Sequence, residues 1–564
     1  MPDTLWAVLA EIVLLPVVYY LMDYVRRRRL LARLREGWGT DRALRNLDAD
    51  ELSDIAHHHR QRNLIHPADM PVDDTTWNDL DMDKVFTGMD AATSIVGSQA
   101  LYTMLREQGT TDEGIARRAA LAQAFGKDES LRLPVQAAVF GIGRYAFHGA
   151  WRYLFSKEFQ HPRWAWVYPV LALLPFTLAL LGFVHSVFLL LAAGAFLVNL
   201  VVYYRTQATW KMEIVSIRHL GAVLNCARKL SRVDHPALDE VRKRIRAHSA
   251  PIRPVRFWLP LFGAQTVGDM ALVLEYLRIL FMIDMVSMVA IVRGINRNMK
   301  DVRALYDLVG EVDATLSIAQ YTQRVPGLCA PVFTEKRGMC FTDLAHPLLT
   351  DAVTNDLDWT RDVLISGANA SGKSTFIKAV AVNAILAQTV GLCHATALTM
   401  CRGRVMTAMA VRDSLLSGES YFVVEIKSLG RILDAMDGAM VYAFIDEILR
   451  GTNTIERIAA SSAVLSAIAK RHALCMAATH DIELTRLLDP AYQNLHFAET
   501  VDDDGIRFDF LLREGPTRTR NAIRLLATMG YPEDIIAAAN ENARRFEQTG
   551  RWEMDKEPGG PTGA

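Results

Sequence analysis

Residues 364–386 read "LISGANASGKSTFIKAVAVNAIL". An apolar run ending at Ser366 passes into a G-x-x-x-x-G-K-S loop formed by Gly367, Ala368, Asn369, Ala370, Ser371, Gly372, Lys373 and Ser374, and Thr375 opens an apolar helical stretch. Strand, glycine-rich loop and helix in this order are the setting in which that spacing cradles nucleotide phosphates. The glycines let the loop wrap with its N–H groups inward, and the helix N-terminus favours anions. Lys373 is placed to reach the β- and γ-phosphates and Ser374 to ligate a metal, so ATP and Mg2+ are the expected ligands.

Downstream, the runs "MVYAFIDE", "ALCMAATH", "LHFAETV" and "IRFDFLL" alternate with helical stretches. This pattern predicts an α/β domain with a largely parallel sheet, and the turn "VDDDGI" predicts an antiparallel pairing of the last two strands. The first run ends in two carboxylates. Asp446 suits the Mg2+ shell and Glu447 suits polarising the water that attacks the γ-phosphate. His480 ends the next strand, where it would sense the γ-phosphate. Ser417, Gly418 and Ser420 precede a helix in "SGESYFVVEI", another anion-binding arrangement.

The runs "SGANASGKSTFIKAVAVNAILAQTVG", "SGESYFVVEIKSLGRIL", "FIDEILRGTNTIERIAAS" and "ATHDIELTRL", in this order and spacing, resemble the ATPase domain of the MutS family. The resemblance runs from Ala345 to about Phe546, and a weaker echo begins at Val85. It implies an ABC-type P-loop fold, ATP hydrolysis and a homodimer through the ATPase domains. On that basis Asn369 would contact phosphate from within the loop, Ser420 would reach nucleotide across the dimer, and His480 would complete the γ-phosphate shell. Two departures stand out. Mismatch-reading members begin with a globular domain bearing a Phe-x-Glu wedge, which the stretch before Val85 is too short and too apolar to hold. The usual Ser-Thr-Phe reads Ser420-Tyr421-Phe422.

Residues 4–22 contain one charge, Glu11, and as a helix would span about 28 Å against a hydrocarbon layer of roughly 30 Å. Arg26 to Arg29 follow directly, which puts the N-terminus outside and the rest inside. Residues 164–204 hold no Asp, Glu, Lys or Arg and predict two spans joined near "GFVHS", both ends cytoplasmic. In the family a DNA-gripping clamp emerges at this place. Residues 272–292 are apolar but carry Glu275, Arg278 and Asp284, which predicts a buried helix of a soluble domain rather than a span. The triple histidine His57 to His59 predicts a solvated helix face, since adjacent helical residues diverge.

The fold expected is an α/β ABC-type P-loop ATPase domain joined to a mostly α-helical core, with about three transmembrane helices. Residues 1–23 form the first span, 24–160 a cytoplasmic helical segment, 164–204 the hairpin, 205–340 a helical core and lever, 341–546 the ATPase domain and 547–564 a disordered tail. The formal net charge of −1 supplies no global field toward nucleic acid. The best candidate for a local one is 227–257, with nine basic residues against three acidic, a composition that a solvated helix face also explains. The six cysteines show no CxxC pair, as expected of reduced thiols. These features predict an ATPase at the cytoplasmic (inner) membrane, its ATPase domain in the cytoplasm, acting on DNA. The other class compatible with the sequence is a membrane-bound switch acting on an unidentified protein partner. Few spans and the "DEILRGTNT" run argue against a transporter.

Overall fold

The computed structural model describes residues 2–41, 47–144, 149–160, 164–262, 276–368, 371–409, 421–502, 505–517 and most of 523–552. Contacts divide the chain into two units, Met1–Pro71 with Asp83–Pro326, and Val72–Met82 with Gly327–Ala564.

The first unit is helical among its described residues. Three of its helices begin at side-chain caps of the kind the sequence shows. Asp48 accepts from Glu51 N at 2.7 Å, Ser94 from Gly97 N at 3.1 Å and Thr111 from Gly114 N at 3.2 Å, each satisfying an otherwise orphaned first-turn donor. The central element is the long helix Met299–Arg324, whose residues from Val312 to Tyr321 are all buried. Its Asp313 carboxylate accepts from Thr93 N, Ser94 N and Ser94 Oγ, tying the helix to the start of Ile95–Arg106. Gly97 permits this approach, because a Cβ there would overlap the Asp313 carboxylate.

The histidine triplet corrects one expectation. His57 is exposed, but His58 and His59 are buried. His58 meets the edges of Trp151 and Phe155 with ring centroids 5.7 and 5.2 Å away, rings that lie far along the chain.

The apolar stretch forms two helices, Val167–Leu181 and Val187–Thr209. Among the described residues only Val187–Thr209 is long and apolar enough to cross a membrane, with a mean hydropathy of 2.2. Residues 4–22 belong to the helix Pro2–Glu36, most of whose side chains in that stretch lie outside the described residues. Of 272–292, residues 272–275 lie outside the described set, and the helix breaks at Met282, where φ is +46°. Beyond the break Ile283–Arg297 is buried, as expected. It packs on the hairpin: Met285 and Val289 join Tyr168 and Tyr203 in one apolar cluster, and Tyr203 donates to Asp284 at 2.6 Å.

In the second unit a six-stranded sheet contains β1 (Val363–Ser366), β2 (Arg404–Ala408), β3 (Val441–Asp446), β4 (Ala473–Thr479), β5 (Gln493–Asp502) and β6 (Gly505–Glu514). Their spatial order is β6-β5-β1-β4-β3-β2, parallel except for the β5–β6 pair. All residues of β1 and β4 are buried, which explains their unbroken apolar runs. The parallel sheet and the terminal hairpin match the sequence pattern. β2 does not appear there, nor does a second sheet built from Val332–Phe333, Ala397–Met400, Met339–Leu344 and Asn355–Trp359.

β2 is an edge strand, and its free backbone groups are covered from a distant part of the chain. Thr407 N donates to Thr76 Oγ1 at 3.2 Å, and Met409 N to Asp79 Oδ2 at 3.2 Å. The Thr407 hydroxyl also donates to Asp79 at 2.6 Å, and Arg431 bonds both Asp73 and the Thr407 carbonyl. Residues 72–82 thus remove a sheet edge that could otherwise template pairing with another chain.

Candidate functional site

β1 leads into the loop at Gly367, where φ is +149° and a Cβ would stand 3.0 Å from Phe497 O. Gly372 sits at φ +103° at the start of the helix Lys373–Thr389, with the Phe510 ring where its Cβ would go. Both positions therefore require glycine. Asn369 and Ala370 lie outside the described residues, as do Ser417, Gly418 and Ser420.

Lys373 is buried, and its ammonium donates to Gly367 O and Ala368 O, each at 2.8 Å. Burial lowers its pKa to about 8, opposed by Asp446, Glu447 and Glu499. Ser371 is buried with an unpartnered hydroxyl oxygen. β3 delivers Asp446, whose carboxyl is pushed up by burial and pulled back by a hydrogen bond from Ser374. Its Oδ1 is buried and has no hydrogen-bond partner. Buried polar atoms are rarely left unpaired, and two here lie on the loop and on the carboxylate facing it. They fit a site built for phosphate oxygens and a hard cation.

Glu447 follows β3 in the left-handed region at φ +56°, a conformation that costs a non-glycine residue of order 1–3 kcal/mol. Its N–H donates to Ala478 O at 3.1 Å. Its carboxylate meets His480 Nε2 at 2.8 Å on one oxygen and Arg450 at 2.7 Å on the other. Leu449 is also left-handed, at φ +55°, and Glu425 accepts from the N–H groups of Leu449 and Arg450. Arg457 clamps Asp481 through Nε and Nη2 at 2.9 and 2.6 Å, fixing the segment after His480.

These residues converge on one cavity of about 400 Å3, lined by Ser371, Gly372, Lys373, Ser374, Thr375, Glu447 and His480. These seven are among the residues singled out from the sequence, whereas Gly367, Ala368 and Asp446 are not part of its lining. Leu349, Val353, Phe497 and Phe510 also line it and were not singled out from the sequence. The only local hint was the turn-rich stretch after "AHPLL".

The family described as MutS domain V matches residues 363–547, the stretch from β1 through the last helix, Glu533–Thr549. The C-terminal part of this chain is MutS-like. The DNA mismatch repair protein MutS of Thermus aquaticus is 31% identical over 250 residues, covering 43% of this chain and 30% of its own length. MutS of a Thermus thermophilus strain is 30% identical over 253 residues, with the same coverage. "DNA mismatch repair protein MutS 2" of Halobacterium salinarum is 37% identical over 208 residues, 35% of this chain and 24% of its own. The chain thus spans about 30% or less of the length of these relatives. The matched stretch 363–547 contains Ser371, Lys373, Ser374, Asp446, Glu447 and His480.

Proposed function

We propose that this protein is a membrane-anchored ATPase that binds and hydrolyses ATP at an interface between two copies and acts on DNA. The supporting observation is the convergence of Ser371, Lys373, Ser374, Glu447 and His480 on one cavity, with Asp446 hydrogen-bonded to Ser374 beside it. Ser371, Lys373 and the loop amides would hold phosphate oxygens, while Ser374 and Asp446 would hold Mg2+. When bound, ATP and Mg2+ supply the electrophilic phosphoryl group and neutralise its developing charge. Glu447 orients water and takes its proton, and His480 fixes the Glu447 carboxylate. The dimer rests on the MutS resemblance of Ser417 to Ser420.

Membrane attachment is supported by the hairpin's exposed apolar surface, with Phe183 91% and Leu190 76% exposed. The helix Val187–Thr209, about 34 Å long at 1.5 Å per residue, matches a hydrocarbon layer of roughly 30 Å. We place the ATPase unit on the cytoplasmic side of the inner membrane. A DNA contact is supported by exposed Arg228, Lys229, Arg232, Lys243, Arg246 and Arg253 on one stretch of the helical unit. The test is binding of homoduplex, mismatched and branched DNA to detergent-solubilised protein at several salt concentrations. Glu447→Gln held in ATP is compared with Lys373→Ala. Nucleotide-dependent binding that weakens with salt, as counterion release requires, supports the reading. No binding in any nucleotide state, with ATPase activity intact, replaces DNA with a protein partner.

The lowered Lys373 pKa sets a pH dependence. Phosphate favours the charged ammonium, whereas the nucleotide-free protein loses that charge as pH rises through about 8. ATP affinity is therefore level up to about pH 7 and declines above about 8, by up to roughly tenfold per unit. Lys373→Arg removes the decline, as equilibrium nucleotide titrations across pH would register.

A further inference from the structure

A second cavity, of about 340 Å3, lies wholly within the helical unit. Its walls carry four guanidiniums against three carboxylates, and the pairing among them is uneven. Arg62 serves two acids, Glu107 at 2.8 Å and Asp307 at 3.6 Å. Conversely, Glu311 serves two bases, Arg117 at 4.0 Å and Arg244 at 3.4 Å. Arg118, only 8% exposed, makes no ion pair among the described residues, and its hydrogen bond runs from Nε to Gly114 O at 3.4 Å. Burial lowers its pKa, and Glu311 is the first of the charges opposing that. Glu107 opposes the Arg118 charge as well, so across the whole cavity the four guanidiniums and three carboxylates leave one positive charge in surplus.

His58 lines the same cavity. It is 2% exposed, and neither ring nitrogen has a hydrogen-bond partner. Burial, with the charge of Arg62 adding to it, holds its pKa well below the usual value, so the ring is neutral and offers one donor and one acceptor. A buried guanidinium with no carboxylate in direct contact is costly to keep charged, and a buried, unpaired imidazole adds to this. A guanidinium fork matches phosphate or carboxylate geometry, and the neighbouring guanidiniums of Arg117, Arg118 and Arg244 offer more donors than one carboxylate accepts, whereas the three terminal oxygens of a phosphate monoester can take them. The two carboxylates beside Arg62 suit hydroxyl donors on the same molecule. The volume falls at the lower end of the range for small-ligand pockets, roughly 300–1,000 Å3.

We propose that this cavity is a binding site for a small hydroxylated phosphate monoester, with Arg118 as its principal phosphate ligand, Arg117 and Arg244 at its side, and His58 bonding the ligand from the floor. The site is separate from the nucleotide cavity, and its occupancy does not depend on ATP.

Glycerol 3-phosphate, inorganic phosphate, glycerol and succinate are titrated calorimetrically into full-length detergent-solubilised protein carrying Lys373→Ala, which removes the phosphate loop as a competing site. Saturable binding of glycerol 3-phosphate is expected, tighter than that of inorganic phosphate, with none for glycerol. Arg118→Met should weaken it at least tenfold, and Arg118→Lys should recover part of the loss. Arg117 is half exposed, so Arg117→Glu reverses a charge without disturbing the core. It should weaken binding as well, and it carries the test if Arg118→Met fails to fold. Absence of saturable binding by the Lys373→Ala protein would overturn the site, as would unchanged affinity in both arginine variants. Succinate binding as tightly as glycerol 3-phosphate would overturn the phosphate assignment.

Discussion

Glu447→Gln is expected to lower ATP turnover by about 10²–10⁴-fold, the usual contribution of a positioned general base, while ATP still binds. The amide keeps the shape of the side chain and its place at φ +56°, so the cavity persists. What it loses is the ability to take a proton from water. His480 meets the Glu447 carboxylate at 2.8 Å and orients it. His480→Ala should therefore give a smaller fall, on the order of tenfold, at the low end of such effects. Lys373→Ala differs in kind, because it removes the ammonium proposed to hold phosphate and is therefore expected to weaken binding itself. Single-turnover hydrolysis measured beside equilibrium nucleotide binding separates the three. Turnover by Glu447→Gln within a few-fold of the parent would remove Glu447 from the role of base.

Asp79→Ala is expected to destabilise the sheet-bearing unit by about 2–4 kcal/mol, although Asp79 lies far from the nucleotide cavity in sequence and in role. Its carboxylate receives the Thr407 hydroxyl and the Met409 N–H. Removing it strands two donors at a costly edge, each worth roughly 1–3 kcal/mol when left unmade. Burial also raises the Asp79 pKa, outweighing the hydrogen bonds from Thr407 and Met409. The folded state therefore holds the proton more tightly than the unfolded chain. This contribution is fully present below the ordinary carboxyl value of about 4 and is lost as pH rises through the raised folded value. Asp79→Asn should abolish that pH dependence and cost less than Asp79→Ala. Urea unfolding of the full chain between pH 4 and 7 measures both effects. Equal stability of Asp79→Ala and the parent would mean that the edge is held by something else.

The chemistry-bearing wall of the nucleotide cavity was legible in the sequence because its logic is local. A loop that must wrap an anion needs its glycines within a few residues of its lysine, and a strand ending in Asp446 and Glu447 declares itself by an apolar run meeting two acids. The apolar part of its lining was not legible. Phe497 and Phe510 reach the loop because β5 pairs with β1 and turns into β6, and nothing in a phenylalanine announces a ligand. His58 was misread for a related reason. Three adjacent histidines look polar, but Trp151, Phe155 and Tyr306 come from segments about 90 to 250 residues away and enclose the middle one. Residues 272–292 were read as one buried helix, whereas the described part is broken at Met282 and Tyr276 before the break is exposed, features that periodicity does not encode. The cover of β2 was hidden altogether, since an eleven-residue stretch near the N-terminus carries no mark of the strand it will meet.

That cover also has a history in time. Asp79 leaves the ribosome some 330 residues before Met409. At roughly 5–20 residues per second, the separation amounts to about 15 to 65 seconds of synthesis. Throughout that interval residues 72–82 are a finished piece waiting for a partner that does not yet exist, while the helices on both sides of them can already assemble. The ATPase sheet therefore closes late, around a segment that its own polypeptide delivered first. A gene fragment cut at Gly327 would encode all six strands of the sheet and still lack the part that seals its edge.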